Sequence, residues 1–211
     1  MTAATLNNGI LERIKDPESF FRRNSREFLE VVSAVRSAFG TTMTEQDIYD
    51  HVTQPKKVFL LRNTGGIFGM CSYTPKMIGG ESILYIDGIA IDPRMQGQGI
   101  FRNATLSALE DEKFLGLKTQ NPRMYRALQK FCDRIYPNES LCIPEDINKR
   151  MEELAKTLAV KTDEKKVIRG IYGRSLYPQA PVHHLASNFF DNILNVDYRA
   201  GDSVLCLGMI D

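Results

Sequence analysis

The residues best placed to do chemistry are Gln96, Gly97, Gln98 and Gly99, a short turn that follows Asp92-Pro93 and precedes a helix-patterned segment from Ile100. Glycines at 97 and 99 remove two β-carbons where the chain reverses. Successive backbone N–H groups can then converge on an anion without steric obstruction, at a helix N-terminus whose dipole end is positive. The chemistry this suits is diphosphate binding. Neither common nucleotide motif accounts for it, since Arg102 stands where G-x-G-x-x-G needs its third glycine and no G-K-[ST] follows. A tight strand-to-helix connection would use the same two glycines, so the flanking elements must decide.

On the upstream side, Ile83-Leu84-Tyr85-Ile86 and Ile89-Ala90-Ile91 form an apolar run that predicts a strand ending at Asp92-Pro93. Downstream, Ile100 to Asp111 predicts a helix. Earlier in the chain, Ile10 to Lys15 suits an edge strand, and the spacing of Phe20, Phe21, Phe28, Leu29, Val31, Val32, Val35 and Phe39 predicts one amphipathic helix over 17–39, stopped by Gly40. Thr44 followed by Asp47 predicts a capped helix to about His51. Lys57 to Arg62 and Gly66 to Tyr73 read as a hairpin turned at Asn63 to Gly66, and Gly79-Gly80 leads into the apolar strand.

After the central helix, Phe114 to Thr119 predicts a strand, and Asn121-Pro122 a helix start continuing to about Asp133. Further on, Glu145 to Leu158 and Asn188 to Leu194 suit helices, whereas Val167 to Tyr172 and Ser203 to Ile210 suit strands. With 211 residues, 43% hydrophobic and 25% charged, the chain suits one domain over 1–211, with a core of about 7–137 and a C-terminal part, 138–211, that completes the sheet.

A net charge of +1, from 27 basic and 26 acidic residues, supplies no bulk attraction to nucleic acid or to an anionic membrane. Without an apolar leader or a run of about 20 apolar residues, the reading is a soluble, cytoplasmic protein with neither a membrane nor a nucleic acid as partner. Cys71, Cys132, Cys142 and Cys206 are scattered, and His51, His183 and His184 complete no zinc pattern, so no metal is expected.

The run Gly88 to Phe101 resembles motif A of the GCN5-related N-acetyltransferases (GNAT), [QR]-x-x-G-x-[GA] after a hydrophobic strand and an acidic-Pro turn; Gln96 and Gly99 match, and Phe101 replaces the usual small residue. The element order, two helices before the sheet and then three strands, turn, helix, strand and helix, is also the family's. The resemblance implies an α+β (α/β three-layer) acyltransferase fold, with a mixed, mostly antiparallel central sheet flanked by helices and two splayed central strands. It implies acetyl-coenzyme A as co-substrate, its pyrophosphate held by backbone at Gln98, Gly99, Ile100, Phe101 and Arg102, with Gln96 and Gly97 shaping the turn. The backbone of Ile89, Ala90 and Ile91 would line the pantetheine arm, the N–H near Ile91 polarising the thioester, and Asn121 would contact the arm. Helix capping alone also accounts for Asn121.

For direct attack by an acceptor amine, Asp87 is the candidate base, because a carboxylate between apolar neighbours can have its proton affinity raised by desolvation. Tyr85, on the same strand face, is a candidate substrate-orienting hydroxyl, and a loop amide bonded to Asp87 is the structural alternative. Leu128 occupies the position where many family members carry an acidic Tyr, and Tyr125, one turn earlier, is the nearest phenol. Arg94, Arg102, Arg123, Arg126 and Lys130 flank the two crossings and suit the coenzyme phosphates, with Arg102 and Arg123 foremost. The acceptor amine, small molecule or peptide, has no motif, and a homodimer is open. The alternative to an enzyme is a coenzyme-binding sensor or scaffold on the same fold without turnover.

Overall fold

The computed structural model describes residues 2–6, 9–40 and 43–210, and the chain divides into two compact units, Met1–Thr74 with Ile86–Glu110 and Pro75–Tyr85 with Asp111–Asp211. Its strands form a mixed, mostly antiparallel sheet with helices flanking it, the architecture expected from the sequence.

In the first unit, β1 (Thr2–Leu6), β2 (Gly9–Ile14), β3 (Lys57–Asn63), β4 (Gly66–Ile78) and β5 (Glu81–Ile91) lie in that order, with Leu11 opposite Leu61 and Phe59 opposite Cys71 in antiparallel register. Helices α1 (Pro17–Arg23), α2 (Ser25–Phe39) and α3 (Glu45–Thr53) bury Phe21, Val31, Val35, Ile48 and Val52 against Ile14, Leu60, Met70 and Ala90. Each of these side chains but that of Ala90, taken from water, contributes about 1.5–3 kcal/mol before entropy is counted.

The single helix expected over 17–39 is broken at Asn24, which leaves helical dihedrals (φ −124°, ψ 61°) while its side-chain amide donates to the Phe20 carbonyl at 2.8 Å. A short polar side chain that bonds the backbone competes with the helical ladder, and apolar spacing does not register that competition. The Thr44 cap is present, its Oγ1 accepting from the Asp47 N–H at 3.1 Å.

Opposite these helices, α4 (Ile100–Ala108) buries Ile100, Ala104, Thr105 and Ala108, and the Thr105 and Tyr73 hydroxyls lie 3.2 Å apart. The helix ends three residues before the expected Asp111, where Leu109 turns extended and the buried Lys57 ammonium donates to the Ala108 carbonyl at 2.8 Å.

In the second unit the tips of β4 and β5, turned at Gly79-Gly80, are followed in order by β6 (Phe114–Thr119), β9 (Ser203–Met209) and β7 (Arg134–Tyr136), with β8 (Val167–Ile168) also on β9. The β6–β9 pair is antiparallel with Leu117 opposite Cys206. Helices α5 (Pro122–Phe131) and α6 (Glu145–Thr157) flank these strands, and Met151 and Leu154 of α6 pack with Ile83, Phe114, Leu205 and Leu207. The strand expected over 167–172 stops at Ile168, because Gly170 takes φ +62° and its N–H donates to Asp202. The helix expected over 188–194 is one π-helical turn, Phe189–Ile193.

Candidate functional site

Asp92 closes β5. Its N–H donates to the Phe68 carbonyl at 2.9 Å, and its carboxylate accepts from the Arg94 backbone N–H and guanidinium at 2.8–3.0 Å. Those hydrogen bonds from Arg94 hold the Asp92 carboxyl down to about 2. One 3₁₀ turn, Pro93–Met95, follows, and the Gln96 side-chain amide reaches back to the Ile91 carbonyl at 2.9 Å.

Gly97 (φ +79°) and Gly99 (φ +73°) both adopt left-handed backbone, and a β-carbon on either would meet nothing within 4 Å. Glycine is therefore required for conformation, and the space above the turn is open on that side. Gly99 is also the N-cap of α4, so no side chain caps this helix, and the Asn103 N–H makes the first helical bond to the Gly99 carbonyl at 3.1 Å. A helix start without a capping side chain, preceded by two left-handed glycines, is a suitable anion seat. Phe101 and Arg102 lie in its first turn, Phe101 half-buried and Arg102 exposed.

Along β5 the backbone alternates. The Ala90 carbonyl presses on Gly69 of β4, where an added β-carbon would lie 2.5 Å from it, and the Asp92 N–H also points to β4. Ile89 and Ile91 therefore turn their N–H and C=O groups to the opposite edge of β5. That orientation is the one needed for the Ile91 N–H to serve as a donor to a bound carbonyl.

Asp87 is half-buried and accepts from the Thr74 hydroxyl at 2.7 Å. Tyr85, two residues earlier, is buried in the apolar core of the second unit, with the Lys76 ammonium 5.4 Å from its ring centre. The ring Cδ2 of His51 lies 3.5 Å from where a β-carbon on Gly88 would be. Its Nδ1 is 2.7 Å from the Asp47 carbonyl. A carbonyl only accepts, so Nδ1 donates in that contact.

At the second crossing Asn121 caps α5, its Oδ1 accepting from the Arg123 N–H at 2.9 Å. Its other end is also engaged, Nδ2 donating to the Tyr177 hydroxyl at 3.2 Å. The Arg123 guanidinium donates to the Val182 carbonyl at 2.9 Å, and the buried Gln120 accepts from the Leu176 N–H at 3.0 Å. Residues 120, 121 and 123 thus hold the segment 176–182 on the start of α5, a contact 56 to 59 residues away in sequence that no local pattern announces.

Tyr125 is buried, its hydroxyl donating to the Pro137 carbonyl at 2.9 Å and its ring packed on Phe189 and Phe190. Burial raises its proton affinity far above an ordinary phenol's, which disfavours it as a proton donor to a thiolate. Leu128 is fully buried.

His183 and His184 stack at 4.7 Å, and burial together with the neighbouring cations lowers the His183 pKa. Among the described residues no group of three or more His, Cys, Asp or Glu is arranged to hold a metal, and no helix is long and apolar enough to cross a membrane.

No protein-family model matches the chain, and no curated protein matches it in sequence. Among solved structures it is similar to a GNAT family acetyltransferase from Brucella melitensis in complex with acetyl-CoA, at 16% identity over 51% of this chain and 74% of that one, with a TM-score of 0.36. It is also similar to a GNAT family acetyltransferase from Bacillus anthracis, at 17% identity over 68% of this chain and 90% of that one, with a TM-score of 0.42. Both overlaps are partial and both identities low.

Proposed function

We propose that the chain is an acetyl-coenzyme A dependent N-acetyltransferase of the GCN5-related type. The observation that carries this reading is the β5-to-α4 crossing, where two left-handed glycines lead into a helix with no capping side chain directly after a strand whose Ile89 and Ile91 backbone faces away from β4. In this reading the turn from Gln96 to Arg102 seats the diphosphate, the backbone of Ile89, Ala90 and Ile91 lines the pantetheine arm, and the Ile91 N–H polarises the thioester carbonyl.

The acceptor nitrogen attacks the thioester carbon, the C–S bond breaks, and the acetyl group passes to nitrogen in a ternary complex. Asp87, oriented by the Thr74 hydroxyl, takes the amine proton directly or through water. The coenzyme thiolate takes its proton from solvent, since the Tyr125 hydroxyl is committed to Pro137. Positioning alone can supply about 7 kcal/mol or more of barrier reduction.

The test is thiol release with a panel of amines, each product weighed for one added acetyl group. Asp87→Asn should lower kcat by about 10²–10⁴-fold, as general-base loss does, with the Kd for acetyl-coenzyme A within about threefold of wild type. The buried Leu128 at the family's acid position favours the sensor reading instead. Tight coenzyme binding without thiol release for any amine would establish that reading and end the transferase one.

A further inference from the structure

The segment 176–182 lies against the junction of β6 and α5, tied there by three side chains. Gln120 Oε1 accepts from the Leu176 N–H at 3.0 Å, Asn121 Nδ2 donates to the Tyr177 hydroxyl at 3.2 Å, and Arg123 Nε donates to the Val182 carbonyl at 2.9 Å. The segment has no helix or strand of its own, and none of its residues is buried. On its other side, Tyr177, Pro178, Gln179 and Ala180 line an open cleft of about 610 Å³. A segment bonded on one side, open on the other and without a buried side chain opens locally while the core stays folded. Gly173, at φ +62°, precedes it, and the buried Ala186, Phe189 and Phe190 fix the chain after it, so these positions bound the movement.

The residue it is tied to is only half-paired. Gln120 is 1% exposed, and although its Oε1 holds Leu176, its Nε2 has no hydrogen-bond partner among the described residues. A buried amide donor left in that state is costly. In an extended chain one residue directs its N–H and C=O to the same side, so a primary amide pairs with both at once. Leu176 sits in a bend and gives Gln120 its N–H alone. The segment therefore occupies this position with one bond fewer than an extended chain would make.

We infer that residues 176–182 are a displaceable strap over a peptide site at the junction of β6 and α5. An extended peptide takes the strap's place, one of its residues pairing through N–H and C=O with both ends of the Gln120 amide. The Asn121 amide and the Arg123 guanidinium, released from Tyr177 and Val182, donate to carbonyl oxygens further along the peptide. The inference is independent of the transferase reading, because it involves residues 120–123 and 176–182 alone and is measured with no coenzyme present.

The experiment is ¹⁵N–¹H correlation spectroscopy of the full chain, first under hydrogen exchange and then titrated with acetyl-Thr-Val-Thr-Val-Thr-Val-amide. The same peptide methylated at every backbone nitrogen is the control. The Leu176 amide should exchange about a hundredfold or more faster than that of the buried Leu205, which is bonded to the Lys166 carbonyl. Saturable shifts should include the side-chain amides of Gln120 and Asn121 and the backbone amides of Leu176 and Tyr177, and be absent with the methylated peptide. Tyr177→Phe removes the hydroxyl that holds Asn121, so the strap opens more readily and the peptide should bind about threefold or more tightly. Gln120→Leu should weaken binding about tenfold or more, with Leu205 as protected as in wild type. Equal affinity in Tyr177→Phe and wild type, no saturable shifts at residues 120–123 and 176–182, or a Leu176 amide that exchanges only as fast as Leu205 would each overturn the inference. The wild-type and Tyr177→Phe measurements decide it even if Gln120→Leu does not fold.

Discussion

Gly99 separates conformation from charge in the proposed diphosphate seat. At φ +73° and ψ 9° any L side chain is strained, yet a β-carbon there meets nothing within 4 Å. Gly99→Ala should therefore cost about 1–2 kcal/mol through backbone strain alone. For a chain of this size that lowers Tm by about 2–8 °C. Gly99→Gln adds bulk and Gly99→Glu adds one negative charge, with nearly the same backbone cost.

A carboxylate about 6 Å from a diphosphate carrying two charges, at an effective dielectric of about 40, is repelled by about 3 kcal/mol before salt screening halves it. The expectation is a Kd for acetyl-coenzyme A about 10- to 150-fold weaker in the Glu variant than in the Gln variant, the gap narrowing at high salt. Calorimetric titration at two ionic strengths, with thermal melts of all three variants, reads both quantities. If Glu and Gln variants bind equally, at matched Tm, the anion is not held at this turn and the reasoning fails.

Three further outcomes follow from the geometry. Tyr125→Phe removes a buried hydroxyl that donates to the Pro137 carbonyl. It should cost about 1–3 kcal/mol in urea unfolding while leaving kcat within a few-fold, and a hundredfold loss of kcat would restore Tyr125 as an acid. Lys57→Met strips the Ala108 carbonyl of its 2.8 Å donor and Glu110 of its ion pair, so it should destabilise by about 1–3 kcal/mol, an effect absent from the exposed Lys149→Met. Asp92, held down to about 2 by Arg94, has a folded pKa below its ordinary value of about 3.9. Its stabilisation is therefore complete above about pH 4 and is lost as pH falls through 2. Wild type should melt above Asp92→Asn at pH 7 by a margin that shrinks with salt, because Arg94 is 88% exposed, and the two should converge near pH 2.

The chain disclosed its strand-turn-helix crossings through short-range signals. Pro93, Gly97 and Gly99 are dictated by backbone dihedrals, and Thr44 and Asn121 by local caps, so each is legible within four residues. β7 was not legible, because three residues are too few for a period and it is defined by pairing with β9, more than 70 positions away. The break at Asn24 was hidden for the opposite reason, a strong apolar spacing carried across a residue that abandons the helix. Asp87 could be picked out as a carboxylate on an apolar strand, whereas its Thr74 partner lies across a hairpin. The ties of Asn121 and Arg123 to Tyr177 and Val182 depend wholly on how the late segment packs.

The diphosphate seat is tested most directly by titrating the wild-type protein with acetyl-coenzyme A beside S-acetylpantetheine, which carries the thioester without the nucleotide diphosphate. One-to-one coenzyme binding with Kd on the order of 1–100 μM, and at least a hundredfold weaker binding of the truncated thioester, is the predicted result. Equal binding of the two, or none by the coenzyme, would contradict a diphosphate seat at Gly97 and Gly99.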